Sequence, residues 1–263
     1  MNSDLQEWRA TASLLAESPR FAASPGQKNF EIVNKVSAHY FSSTRKNKRE
    51  RKKMEPLEEG NFYHIYNRGA GKASIFFTAH DHHLFINKYF YYLHVSSESF
   101  AWCLLKNHFH LLLRVRTIEE QIQTFNDVKS NFPENSFYGD HYNSPKPYKV
   151  SQQLSHLFNS YTKNINLKTN RSGTLIEGSF KRKKIMDEVH FLHIVCYIHR
   201  NPIHHRITDN YSEYPYSSYQ HILSNNHPFT ETGELLNRFG GVKNYIEAHH
   251  EFKLMLGDEF YLE

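Results

Sequence analysis

Apolar and polar positions change period several times along the chain, and each change marks an element. In "NFYHIYNRG" (61–69), aromatic and β-branched residues run into Asn67-Arg68-Gly69, which predicts a strand ending in a turn. "DHHLFINKYFYYL" (81–93) carries apolar residues at 84, 85, 89, 92 and 93, a helical period. "SFAWCLL" (99–105) reads as a buried strand, Lys106-Asn107 as a turn, and "HFHLLLRV" (108–115) as a second strand, together a hairpin. The polar stretch 131–150 reads as loop, and helical patterning returns over 151–166. "RSGTLIEGSFKRKKI" (171–185) reads as a short hairpin or an extended basic segment. "DEVHFLHIVCYIHRN" (187–201) predicts a strong helix, capped by Asp187, with Glu188 in its first turn and Pro202 as its stop. After it come a turn-rich "EYPYSSYQ" (213–220) and two short helices. Strand, helix, strand, strand, then helices: this order predicts an α+β sandwich built on an antiparallel sheet.

The first 53 residues are of another kind. They hold a short amphipathic pattern in "LQEWRATASLLAE" (5–17) and then "RKNKRERKK" (45–53), seven Lys or Arg in nine residues. That run reads as a solvated linker or as a phosphate-contacting arm. Met54 opens the more coherent sequence. Residues 1–53 are therefore expected to be a basic accessory or disordered extension, or to precede the true start. A catalytic domain is expected over 54–202 and a small helical C-terminal tail over 203–263.

Composition narrows the setting. With 263 residues, 39% of them hydrophobic and 20 Phe and 17 Tyr among them, the chain can bury a substantial core. The two cysteines, Cys103 and Cys196, have neither metal-finger nor disulfide spacing, so a reducing cytosol is expected. The start "MNSDLQEW" lacks the order of a signal peptide, and no apolar run nears the roughly 20 residues that span a bilayer. The expectation is a cytoplasmic protein without membrane contact. A net charge of +5 is compatible with nucleic acid without proving it.

The candidate chemistry centres on histidine. With 19 among 263 residues, chance supplies about one His-x-His, and the chain has two. His80-Asp81-His82 falls at a polar loop-to-helix junction and is expected to face solvent. His108-Phe109-His110 falls in a strand, where alternate residues share a face. Both imidazoles then point one way, and Phe109 points the other way with Leu111 and Leu113. Two buried imidazoles need partners for their nitrogens. A metal ion supplies one solution; hydrogen bonds within a structural pair supply the other. On the 187–201 helix, at roughly 100° per residue, Phe191, Leu192, Val195, Cys196 and Ile198 form a core face. His190, His193, Tyr197 and Asn201 gather on another. Tyr197 and Asn201 thus put a nucleophile and an oxygen ligand on adjacent turns.

Five segments, "YHIYNRG", "NHFHLLLR", "SYTKNINLKTNRSGTLIEGSFKRKKI", "YIHRNP" and "YPYSSY", occur in the order found in the REP-associated tyrosine transposases. Over roughly 54–250 the chain resembles this family, which belongs to the single-tyrosine HUH transposases. The resemblance implies a ferredoxin/RRM-like antiparallel sheet with helices packed on it, the HUH endonuclease fold. It implies His108 and His110 as metal ligands, Asn201 as the third ligand, Tyr197 as nucleophile and Tyr161 as its rival. The implied cofactor is Mg²⁺ or Mn²⁺. The implied activity is nicking and joining of single-stranded DNA through a 5′-phosphotyrosine, near REP-like hairpins, by a nucleoid-associated monomer or homodimer. The long basic N-terminal arm departs from the family pattern.

Phosphate contacts are expected from Arg68, Arg114, Lys149, Arg171, Lys181, Arg182, Lys183 and Lys184, with Phe180 or Tyr63 exposed for stacking on bases. Two other functions fit the same residues. One is a non-catalytic single-stranded DNA- or RNA-binding module, and the other is a metal-dependent nuclease that activates water and dispenses with Tyr197.

Overall fold

Strand β3, His108–Val115, divides its side chains between two layers, and the fold is built around that division. The computed structural model describes residues 56–131, 146–224 and 230–252. The pattern at 5–17, the basic run 45–53 and residues 132–145 of the polar stretch lie outside the described residues. Strands β1 (Phe62–Arg68), β2 (Ser97–Leu105), β3 and β4 (Lys181–Lys184) form one sheet in the order β2-β3-β1-β4, with each pairing antiparallel. The sheet is open and carries helices on both faces, a ferredoxin/RRM-like core with helical extensions. The basic segment at 171–185 does not fold back on itself. Its last residues, Lys181–Lys184, pair with β1 as the sheet's edge.

On one face Phe109, Leu111 and Leu113 join Tyr63, Ile65, Trp102 and Leu104 in an apolar core. Helices α1 (Ala79–Leu93), α2 (Ile118–Asn131) and α3 (Val150–Thr169) cover it with Phe85, Tyr89, Phe125, Leu157 and Phe158. Burying a side chain such as Phe109 stabilises the fold by about 1.5–3 kcal/mol. On the opposite face Phe100, Cys103 and Leu112 pack under α4 (Glu188–His204), through the predicted Phe191, Leu192, Val195, Cys196 and Ile198. Asp187 caps α4 as expected, its carboxylate accepting from the His190 N–H at 2.8 Å.

Pro202 does not stop α4; the helix continues to His204. Proline deprives the Ile198 carbonyl of its usual donor, yet the backbone holds. His205 N–H reaches the Asn201 carbonyl at 3.1 Å and Ile207 N–H reaches that of Pro202 at 2.9 Å. Arg206, at a left-handed φ of 53°, then turns the chain away.

Among the described residues three α-helices follow where two were expected: α5 (Tyr219–Leu223), α6 (Thr232–Phe239) and α7 (Val242–Glu251). They share a core with α4 through Tyr219, Leu235, Phe239 and Tyr245. The turn before them covers the outer edge of β2. Leu104 N–H donates to Tyr216 O at 2.8 Å, and Ser218 N–H donates to Trp102 O at 2.9 Å. An edge closed this way offers no template to another strand. His199 of α4 is fully buried and lies 2.7 Å from Ser218 Oγ and 2.8 Å from His249 Nε2, which ties α4 to both additions.

The first His-x-His pair is not wholly in solvent. His80 is exposed, but Asp81 is 0% and His82 8% accessible. Asp81 accepts from the backbone N–H of Phe77 and Thr78 at the start of α1 and pairs with Lys168 at 2.6 Å. Capping duty draws this turn inward, and His82 stacks between Phe76 and Tyr216, with centroids 4.6 and 3.6 Å away. No described helix is long and apolar enough to cross a membrane.

Candidate active site

The register of the sheet gathers polar side chains on the α4 face. Opposite His108 in β1 stands Arg68, and opposite His110 stands Tyr66. Across the other edge of β1, Lys183 faces His64 and Lys181 faces Tyr66. Cross-strand partners point to the same side, so His64, Tyr66, His108, His110, Lys181 and Lys183 share one surface. Gly69 holds this end of the sheet closed. A Cβ there would stand 1.9 Å from the Ala73 carbonyl oxygen, and the Gly69 N–H donates to Asn107 O at 2.8 Å.

Helix α4 sets Tyr197 and Asn201 over that surface, one turn apart. The Tyr197 ring lies 5.6 Å from that of His110 and 5.9 Å from that of His64, centroid to centroid. Asn201 is fully buried, and its Oδ1 lies 3.4 Å from His108 Nε2. His108 Nδ1 lies 2.8 Å from Asn107 Oδ1, and a neutral ring has one proton for these two oxygens; placed on the shorter contact, it leaves the Nε2 lone pair toward Asn201. Nitrogen and oxygen lone pairs then face each other. Protonation is a poor remedy, because burial first, then the neighbouring His205, lowers the His108 pKa to about 4. His110 is held well below the ordinary histidine value, again by burial first. Its Nε2 is a buried atom with no hydrogen-bond partner among the described residues, as is Asn201 Nδ2.

These features fit a divalent cation: neutral imidazoles, an orphaned ring nitrogen and an inward amide oxygen. Two nitrogens and one oxygen suit Mn²⁺ better than Mg²⁺, which prefers oxygen. The third donor is an amide; among the described residues no group of three His, Cys, Asp or Glu side chains is arranged to hold a metal. Beside the pair opens a cleft of ≈ 190 Å³, lined in part by Tyr66, Arg68, His108, His110, Lys181 and Glu177.

The predicted cations divide. Arg68 lines the cleft and is paired to Glu177 at 2.7 Å, while Lys181 stands 5.8 Å from the centre of the Tyr66 ring. Lys183 shares their face. Arg182 and Lys184 alternate to the other side, Arg182 over Phe180 at 5.1 Å and Lys184 on Glu58 at 2.7 Å. Arg114 is committed to Glu98 and Glu120 at the far end of β3. Lys149 and Arg171 flank α3 in the opposite layer.

Tyr161 is also in that layer, fully buried, its hydroxyl donating to Ile75 O at 2.7 Å. Phe180 and Tyr63 are buried rather than exposed, at 8% and 0%. Tyr63 is drawn in by the chain entering the sheet, donating to Pro56 O at 3.1 Å and accepting from Glu58 N–H at 2.9 Å.

No protein-family model and no curated protein matches the chain. Among solved structures it shows a distant likeness to a REP-associated tyrosine transposase bound to a REP hairpin. The identity is 14% and the TM-score 0.46, over 68% of this chain and 86% of that one.

Sequence reading missed several residues at the site, Tyr66 of the cleft wall among them. His64 Nε2 lies 2.9 Å from His110 Nδ1, the His204 ring stacks on Tyr197 at 5.9 Å, and the His205 ring meets that of His108 at 4.5 Å. Glu177 lines the cleft from a loop. Only His64 left a signal, its two-residue spacing from Tyr66 in "YHIY", and reading that signal needs the β1–β3 register.

Proposed function

We propose that the chain nicks and rejoins single-stranded DNA near hairpins of the REP type, as a transposase of the single-tyrosine HUH class. The observation that carries this reading is that one helix sets the Tyr197 ring against that of His110 and, one turn on, Asn201 against His108. The five sequence motifs in register support it independently. His108, His110 and Asn201 would hold a divalent cation, Mg²⁺ or Mn²⁺. When bound, it supplies Lewis-acid withdrawal of charge from the phosphate.

Tyr197 attacks phosphorus through its phenol oxygen and gives up its proton. The bond from phosphorus to the 3′ oxygen breaks, and that oxygen takes a proton to leave as a free 3′-OH. The product is a 5′-phosphotyrosine, which conserves the phosphodiester's energy. Attack by another 3′-OH reverses the chemistry, so joining needs no ATP. Arg68, Lys181 and Lys183, on the histidine face, hold the DNA backbone. Helix α4 holds the phenol over the histidines before substrate arrives, which lowers the entropic cost of attack.

The test is label transfer. A labelled single-stranded hairpin is incubated with the full chain and Mn²⁺, denatured, and examined for label on the protein band. Wild type is expected to carry label and Tyr197→Phe none. Nicking that survives Tyr197→Phe would point to activated water. Metal-independent binding without nicking would point to a binding module.

A further inference from the structure

His110 is the buried histidine with the clearest unmet need. Its Nε2 has no partner among the described residues, while its Nδ1 lies 2.9 Å from His64 Nε2. His64 is 5% accessible, and its ring stacks against that of His110 at 5.1 Å and 24°. At most one proton occupies the short contact between the two nitrogens, and it belongs to one ring or the other.

The two placements have different consequences. If His64 donates, the single proton of neutral His110 sits on Nε2. That nitrogen becomes a buried N–H with nothing to receive it, which is unfavourable, and it cannot bind a cation. If His110 donates from Nδ1, its Nε2 presents a lone pair. A cation satisfies that lone pair, and no proton then has to be displaced. His64 tolerates the second arrangement, because neither of its own ring nitrogens is a buried atom without a partner among the described residues. Ligating histidines commonly have their other nitrogen held by an acceptor, which fixes both tautomer and ring orientation. Carboxylates or carbonyls usually serve. In this chain β1 supplies an imidazole.

We propose that His64 is a positioning residue that accepts the Nδ1 proton of His110 and thereby holds Nε2 bare toward the cation. This inference rests on the reading of His110 as a cation ligand, and it assigns His64 no contact with DNA or with the reacting atoms. It also accounts for a histidine at a β1 position where the opposite face of the strand, Tyr63 and Ile65, is plain core.

The test uses the full chain, ¹⁵N-labelled at histidine, with His110→Gln to assign the resonances. Long-range ¹H–¹⁵N spectra without metal report which His110 nitrogen carries the proton. Wild type is expected to show Nδ1–H and a bare Nε2. Mn²⁺ affinity is measured in parallel by electron paramagnetic resonance titration. His64→Phe, which cannot accept, is expected to weaken Mn²⁺ binding about 10–100-fold. His64→Gln places an amide oxygen where Nε2 was, and is expected to restore most of that loss. Thermal unfolding of each variant separates lost folding from lost affinity.

A proton on Nε2 in wild type would overturn the proposal, as would unchanged Mn²⁺ affinity in folded His64→Phe. If His64→Phe does not fold, His64→Gln and the wild-type spectrum still decide. The two levels fail differently. If His108→Ala abolishes Mn²⁺ binding and folded His64→Phe leaves the affinity unchanged, the role of His64 falls alone. If wild type takes up no Mn²⁺, the cation reading falls and carries this proposal with it.

Discussion

Tyr161 and Tyr197 sit on opposite sides of one sheet, each on a long helix and each nearly or fully buried, yet their surroundings differ in kind. Tyr161 lies among Phe76, Phe85, Ile165 and the apolar side of β3, and its hydroxyl is tied to a backbone carbonyl. Burial raises its pKa, and the nearby Asp81 adds to that effect, so the phenol is held in its least nucleophilic form. Tyr197 lies against the rings of His64, His110 and His204. The same strand makes both environments by alternation: Phe109, Leu111 and Leu113 to one side, His108 and His110 to the other. Spacing places residues on a face, but the layer packed on that face decides whether a phenol is scaffold or reagent.

The largest separation of the two faces should come from substituting neighbours on β3. Phe109→Ala opens the apolar core and should cost about 3–5 kcal/mol in stability, read by urea unfolding. His110→Gln should leave stability far closer to wild type while removing Mn²⁺ affinity. Similar unfolding midpoints for the two variants would erase the distinction between the faces.

A smaller effect is expected from acid. His108, His190 and His204 are lowered by burial from 6.5 to about 4, and His64 to about 3. Their folded-state values lie below the unfolded value, so the unfolded chain takes up protons first. The stability of the neutral, buried imidazoles is fully present above pH 6.5 and drains away as pH falls toward 4. Urea midpoints should decline across that window. A flat profile down to pH 5 would mean that these rings are not desolvated as described.

The smallest effect concerns the edge strand. Lys181 and Arg182 are adjacent, but alternation sends Lys181 to the histidine face and Arg182 to the other. Lys181→Ala should reduce the salt dependence of single-stranded DNA binding by about 0.7 in log–log slope, the value for one phosphate contact. Arg182→Ala should leave the slope unchanged. Equal losses would place the DNA along the strand's outer edge instead of across the histidine face.

Local order was legible where period and chemistry agreed. The hairpin 99–115, the helix over 187–201 with its Asp187 cap, and the orientation of Phe109, Leu111 and Leu113 follow from two periodicities and one cap. Long-range pairing was not legible. That Lys181–Lys184 would join β1, and that Ser217 and Ser218 would close the edge of β2, depends on contacts between distant segments that no local pattern encodes. Pro202 misled because a proline two residues from the helix end costs a single hydrogen bond, and the chain beyond it still closes onto the last turn. Tyr63 and Phe180 misled because an aromatic residue on a strand, or just before one, looks the same whether it faces solvent or core. His64 was hidden by register: its link to His110 bridges two strands and 46 positions of sequence.

The central claim is that Tyr197, and not Tyr161, is the residue that becomes joined to DNA. Peptide mapping by mass spectrometry, after the chain has reacted with a single-stranded hairpin in Mn²⁺ and the DNA has been trimmed by nuclease, tests it most directly. The account predicts a nucleotide adduct on the peptide containing Tyr197, retained in Tyr161→Phe and absent in Tyr197→Phe. An adduct on Tyr161, or none on any tyrosine while nicking proceeds, would contradict it.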